Sequence, residues 1–143
     1  MPLVKQARGY LIVRVGATHC GLPVDRIKRV VRALPVHGVP GSSPVLLGLG
    51  QLGGEPIGIL DLGRLLDLGA TGTAEHTVTI VAHVGPSDRT ETVGLAADEA
   101  LQIAGFEVDD QAGLGQCAVC GERELDGRAI QLVDLARLGN GDR

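Results

Sequence analysis

Aromatic residues are nearly absent from this chain: Tyr10, Phe106 and no tryptophan in 143 residues. A chain without stacking surfaces, at a formal net charge of −4, suits nucleic acid poorly, because such binding draws on basic grooves and base stacking. No apolar run approaches the ~20 residues a membrane-spanning helix requires, so we expect no direct membrane insertion. The opening stretch MPLVKQARGYLIVRVG meets a charge too soon to read as a secretory signal. The three cysteines, an odd number, do not suggest a disulfide framework. These absences lead us to expect a soluble, cytoplasmic protein with a core of Val, Leu, Ile and Ala.

Glycine is abundant. Its 22 copies are about twice the usual share of ~7%, and seven prolines accompany them. Many turns and short elements follow, which favours β structure.

One glycine-rich stretch, LLGLGQLGGEPIGILDL from Leu46 to Leu62, contains Gly48-x-Gly50-x-x-Gly53. That is the letter pattern of a dinucleotide-binding loop. The pattern requires a helix opening inside it, where the pyrophosphate meets the helix N-terminus. Here Pro56 and the β-branched Ile57 and Ile59 follow instead, which reads as a turn into a second strand. No cofactor is expected.

The glycines belong to a repeat. GLGQLGGEPIGILDLGRL, Gly48–Leu65, aligns with GERELDGRAIQLVDLARL, Gly121–Leu138, at an offset of 73 residues. Leu52/Leu125, Gly54/Gly127, Ile57/Ile130, Asp61/Asp134 and Arg64/Arg137 are among the identities. The same offset places GLPVDRI, Gly21–Ile27, on GLAADEA, Gly94–Ala100, with Gly21/Gly94 and Asp25/Asp98 matching. One offset joining two separate blocks marks an internal duplication. The shared unit is a hairpin turn, a strand and a short helical turn. Leu125-Asp126-Gly127 is a strong hairpin signal, and Leu52–Gly54 is its counterpart.

YLIVRV and CGLPV read as the first two strands, and DRIKRVVRAL carries apolar residues at helical spacing, with Asp25 as a possible N-cap. The same segment fits one helical turn followed by a strand. VLLGLGQL and EPIGILDL form a hairpin, and GRLLDLG a short helix. The second half repeats this plan from HTVTIVAHVG onward. Five short strands in each half suit a small barrel that hides its edges by closing.

Other features have plain readings. Cys117 and Cys120 form a CxxC just before a hairpin, without the βαβ context of a redox site or a second ligand pair for structural zinc. His19 and Cys20 would point to opposite faces of a strand. Asp61 and Asp134 recur in both copies, which suggests capping of the short helical turn rather than paired catalytic acids. Arg26, Lys28, Arg29 and Arg32 make a local basic excess, read either as a solvated face or as a docking patch for an acidic partner.

The blocks YLIVRVGATHCGLPVDRIKRVVR, SPVLLGLGQLGGEPIGILDLGRLL, HTVTIVAHVG…VGLAADEA and LDGRAIQLVDLARL, in this order, resemble the CheW-like family. The resemblance covers about Tyr10 to Leu138. It implies a mainly β fold of two tandem five-stranded SH3-like β-barrels with short helical turns. A single CheW-like domain over 1–143 would hold a first barrel at 10–69, a linker at 70–76 and a second barrel at 77–139, with strands open to exchange at the boundary. It also implies a non-enzymatic chemotaxis adaptor. The partners would be the regulatory domain of a CheA-type histidine kinase and the cytoplasmic tip of a chemoreceptor. The family's contact positions fall on Ile27, Arg29, Val30, Val31, Gly48, Leu52, Gly53, Thr77, Val78 and Thr79. Two positions depart from its pattern. Gly53 stands where many members carry arginine, and Arg29 where many carry glutamate. Two other readings stand beside this one: a thiol- or zinc-dependent sensor using Cys117 and Cys120, and an adaptor diverged towards pilus motility or another partner.

Overall fold

A computed structural model describes residues 5–32, 34–38, 45–66, 78–86, 88–109 and 119–137. Ten strands run in chain order. They are β1 (Lys5–Val15), β2 (Thr18–Pro23), β3 (Ile27–Arg32), β4 (Leu46–Leu52), β5 (Glu55–Asp61), β6 (Val78–Val84), β7 (Glu91–Ala97), β8 (Glu99–Asp109), β9 (Val119–Leu125) and β10 (Arg128–Val133). One short helix, α1 (Leu62–Leu65), follows β5, and single 3-10 turns occupy Val24–Arg26 and Leu135–Arg137. The ambiguous segment after β2 is therefore one helical turn followed by a strand. Asp25 does not cap that turn. Pro23 holds the N-cap position, without a side-chain cap hydrogen bond. Three residues of 3-10 helix, set between two extended segments, leave Asp25 inside the turn.

The strands form two five-stranded sheets, ordered β8-β1-β2-β10-β9 and β3-β6-β7-β5-β4. The sheets do not follow the halves of the sequence. The first hairpin, β1–β2, lies with the last three strands, and β6–β7 lies with β3, β4 and β5. The turn at Val24–Arg26 causes this: it carries β3 away from β2 to pair with β6, from Ile27 opposite Ala82 to Arg32 opposite Val78. The chain thus enters the second sheet after β2 and returns to the first only after β7. The duplicated glycines mark equivalent seams. Gly21 pairs in parallel with Leu132 of β10, and Gly94 with Ile59 of β5. A Cβ on Gly94 would stand 2.7 Å from both Ile59 Cδ1 and Thr79 Cγ2, so only glycine lets β7 lie this close.

Residues 10–13 of β1 and 20–23 of β2 are buried on both faces, which explains the nearly continuous apolar runs there. On one face Leu11, Val13, Val15, Cys20 and Leu22 pack with Ile80, Val84 and Leu95 of the other sheet, in a core that joins the two sheets. On the other face Tyr10 and Ile12 meet Ile130 and Leu132 inside the first sheet. The only two aromatic residues of the chain pack together there, Tyr10 and Phe106, ring centres 6.0 Å apart.

Each sheet folds round so that its edge strands approach. In the second sheet the segment after β3 crosses to β4, where His37 and Leu49 exchange both backbone hydrogen bonds at 2.9 Å. In the first, the Arg123 guanidinium on β9 donates to the Glu107 carbonyl of β8 at 3.2 Å.

Candidate protein-interaction surface

The glycines of the Gly48-x-Gly50-x-x-Gly53 stretch serve the second sheet. Gly48 sits at φ +154°, and a Cβ there would overlap the His37 carbonyl oxygen. Gly53 and Gly54 form the β4–β5 turn at φ +60° and +87°, matching Asp126 and Gly127 of the β9–β10 turn at +53° and +78°. Positive φ at both central residues is the type I′ hairpin geometry. Strand β5 follows, and no helix opens at the glycines. The repeated aspartates cap the helical turns after the hairpins. Asp61 accepts from the Arg64 backbone N–H at 3.3 Å, and Asp134 from that of Ala136 at 3.1 Å.

Nine of the ten contact positions named from sequence lie among the described residues, and all nine fall in the second sheet or its turn. Thr77 lies outside the described residues. Ile27, Arg29, Val30 and Val31 are on β3, an edge strand; Val78 and Thr79 are on β6 beside it. Gly48 and Leu52 are on β4, the opposite edge, and Gly53 is in its turn. The crossing segment at 34–38 connects these two groups. Three of the nine offer a partner no side chain. Thr79 is completely buried, Gly53 has none to offer, and Gly48 is committed to the His37 crossing.

Exposed side chains here include Lys28, Arg29, Arg32, Val30 (40% exposed) and Leu49 (42%). Leu49 escaped the sequence reading, which named Leu52. The signal was available: the buried Gly48 and Gly50 flank Leu49, and alternation along a strand then turns Leu49 outward. Arg26 leaves the basic group. Its Nη1 donates to the Gly85 carbonyl at 2.8 Å and tethers the 3-10 turn to the end of β6. Lys28, Arg29 and Arg32 have no carboxylate within salt-bridge distance among the described residues.

Cys20 belongs to the core between the sheets, and burial pushes its thiol up to about 11. A thiol protonated at neutral pH is a poor nucleophile and a poor ligand. Cys117 lies outside the described residues, and Cys120 is placed only as a backbone position on β9. Among the described residues no group of three or more His, Cys, Asp or Glu side chains could hold a metal ion.

A family model described as the CheW-like domain matches residues 9–142. The chain belongs to the CheW-like family. Its fold agrees with a solved CheW structure, the scaffolding protein TtCheW from Thermoanaerobacter tengcongensis. The two superimpose with a TM-score of 0.72 over 95% of this chain and 96% of that one, at 17% sequence identity. No curated protein sequence matches the chain. The two five-stranded sheets of this CheW-like chain are thus the paired SH3-like architecture expected from its sequence. No helix among the described residues is long and apolar enough to cross a membrane.

Proposed function

We propose that this chain is a non-catalytic adaptor that couples chemoreceptors to a CheA-type histidine kinase in a cytoplasmic chemosensory assembly. Family membership supports the adaptor role. The observation that carries the docking reading is the β3–β4 side of the second sheet. There Lys28, Arg29 and Arg32 stand exposed around Val30 and Leu49, with no carboxylate among the described residues within salt-bridge distance of them. An acidic partner surface with an apolar centre complements this patch, and charge of this kind steers and orients more than it tightens.

The mechanism is geometric. Two faces of one rigid molecule hold a kinase domain and a receptor tip at high effective concentration, so two weak contacts become one firm assembly.

Calorimetry with the regulatory domain of the kinase from the same organism tests the reading, with and without a receptor-tip fragment. Saturable one-to-one binding is expected. It should survive addition of the receptor fragment, weaken with salt, and weaken further in Arg29→Glu. Absence of binding to either partner at several hundred micromolar, on the order of the weakest useful contacts, would overturn it.

A further inference from the structure

Strand β8 carries one residue more than the stretch of β1 it pairs with. Ile12 lies opposite Gln102 and Val13 opposite Ala100, so Leu101 is the extra residue of a bulge. A bulge re-aims side chains. Leu101 and Gln102, adjacent in sequence, both line a depression of about 170 Å³ beside the β9–β10 turn. The second sheet has the same bulge at Lys28, the residue 73 positions earlier, so the bulge belongs to the shared architecture.

The apolar wall of the depression comes from Ile12, Leu101, Leu125 and Ile130. Its polar groups are His19, Gln102, Asp126 and Arg128. Asp126 and Arg128 carry opposite charges two residues apart, yet they form no ion pair. Among the described residues the Asp126 carboxylate and the Gln102 side-chain amide have no hydrogen-bond partner. The Arg128 guanidinium has one, His19 Nε2, which leaves most of its N–H groups available. The repeat does not dictate these groups. Leu125 and Ile130 recur as Leu52 and Ile57, whereas Gln102, Asp126 and Arg128 correspond to Arg29, Gly53 and Glu55. The architecture is built in the second sheet without a carboxylate at the first of these turn positions or a guanidinium two residues on.

The lining selects its ligand by elimination. A simple anion drawn to Arg128 would meet Asp126, and a simple cation drawn to Asp126 would meet Arg128. An uncharged apolar molecule would strip water from both charges without replacing its hydrogen bonds. A molecule with both charges at one end and an apolar group at the other satisfies the whole lining. The volume is below the roughly 300 Å³ at which pockets for drug-sized ligands begin, so the molecule is small.

We propose that the depression between the β8 bulge and the β9–β10 turn binds a free apolar α-amino acid of the size of leucine. Its carboxylate lies on the Arg128 guanidinium, its ammonium on the Asp126 carboxylate, and its side chain against Leu101 and Leu125. The contacts are few and the site is open, so binding is weak, with a Kd on the order of 1 mM.

NMR titration of the whole chain with L-leucine tests the proposal, read at the backbone amides of Leu101, Gln102 and the β9–β10 turn. Saturable shifts centred on these residues are expected. Two analogues test the charges in the unaltered protein. 4-Methylpentanoate keeps the carboxylate and lacks the ammonium, and 3-methylbutylamine keeps the ammonium and lacks the carboxylate. Each should bind at least about ten-fold more weakly than leucine, the loss expected for a charged hydrogen bond. Asp126→Asn, which suits the same left-handed turn at φ +53°, and Arg128→Gln should each weaken leucine by a similar factor while circular dichroism shows them folded. No saturable shift up to roughly 20 mM leucine, well past the weak range, would overturn the proposal. So would equal binding of the three probes, or leucine binding undiminished in either variant.

Discussion

His19 and Cys20 are neighbours in sequence and opposites in environment. Cys20 points into the core between the sheets, while His19 faces outward among Arg14 of β1, Glu99 of β8 and Arg128 of β10. The Arg128 Nη1 lies 3.1 Å from His19 Nε2. A guanidinium can only donate, so Nε2 accepts and the ring is neutral. Partial burial lowers the His19 pKa below its usual 6.5, Arg128 and Arg14 lower it further, and Glu99 opposes them. The unfolded chain therefore takes up this proton at a higher pH than the folded one. The stability tied to neutral His19 is complete above 6.5 and is lost as pH falls through the lower, folded value. NMR titration should find the imidazole midpoint below 6.5, and His19→Gln, whose amide oxygen can accept the same bond, should flatten that part of the stability profile. A midpoint above 6.5 would contradict the arrangement. The opposed faces of His19 and Cys20 were legible from strand alternation. The Arg128 partner, 109 residues away, was not, because only the parallel β2–β10 seam brings the two together.

At the scale of elements, hairpins were the most legible features, because turn chemistry is local. Asp126-Gly127 and Gly53-Gly54 announced themselves by residue type alone. Strand β3 was not settled by sequence. Val24, Ile27 and Val30 satisfy helical spacing, and its exposed edge lacks the strict alternation of a half-buried strand. The β4–β5 hairpin also shows that glycines in one motif differ in purpose, and two substitutions should move stability in opposite directions. Gly48→Ala forces a methyl onto the His37 carbonyl at a positive φ, and should cost about 2–3 kcal/mol. Gly53→Asn meets open space at a φ of +60° that asparagine tolerates, and should gain about 0.5 kcal/mol by restricting the unfolded chain. Urea denaturation midpoints measure both. A Gly48→Ala midpoint equal to that of the parent would remove the crossing segment from the list of structural constraints.

For the whole molecule, the duplication was legible and the partition of its strands was not. When two copies share a pattern, β3 can satisfy the same local preferences beside the first strand of either copy. The short turn at Val24–Arg26 decides between them, and it spans only three residues. Each sheet consequently needs strands from both halves: β1 and β2 with β8–β10, and β6 and β7 with β3–β5. If the chain is cut between residues 66 and 78, neither fragment holds a complete sheet. Each fragment alone should lack a cooperative melt, and the two mixed should recover one as a one-to-one complex. Circular dichroism and sedimentation would show this, and a fragment that folds alone as a monomer would contradict the shared-sheet account.

The order of the strands also bears on synthesis. Residues 27–97 supply the whole second sheet in one continuous run, so that sheet can assemble while the chain is still growing. The first sheet is divided around it. Strand β1 emerges first, yet its neighbour β8 begins only at Glu99, and β2 awaits β10, later still. Long-range closure of this kind slows folding and leaves apolar strands exposed in the interval. The Leu11–Val15 stretch is thus in need of protection on the ribosome: β1 can pair at once with β2, but its second edge stays open until β8 is made.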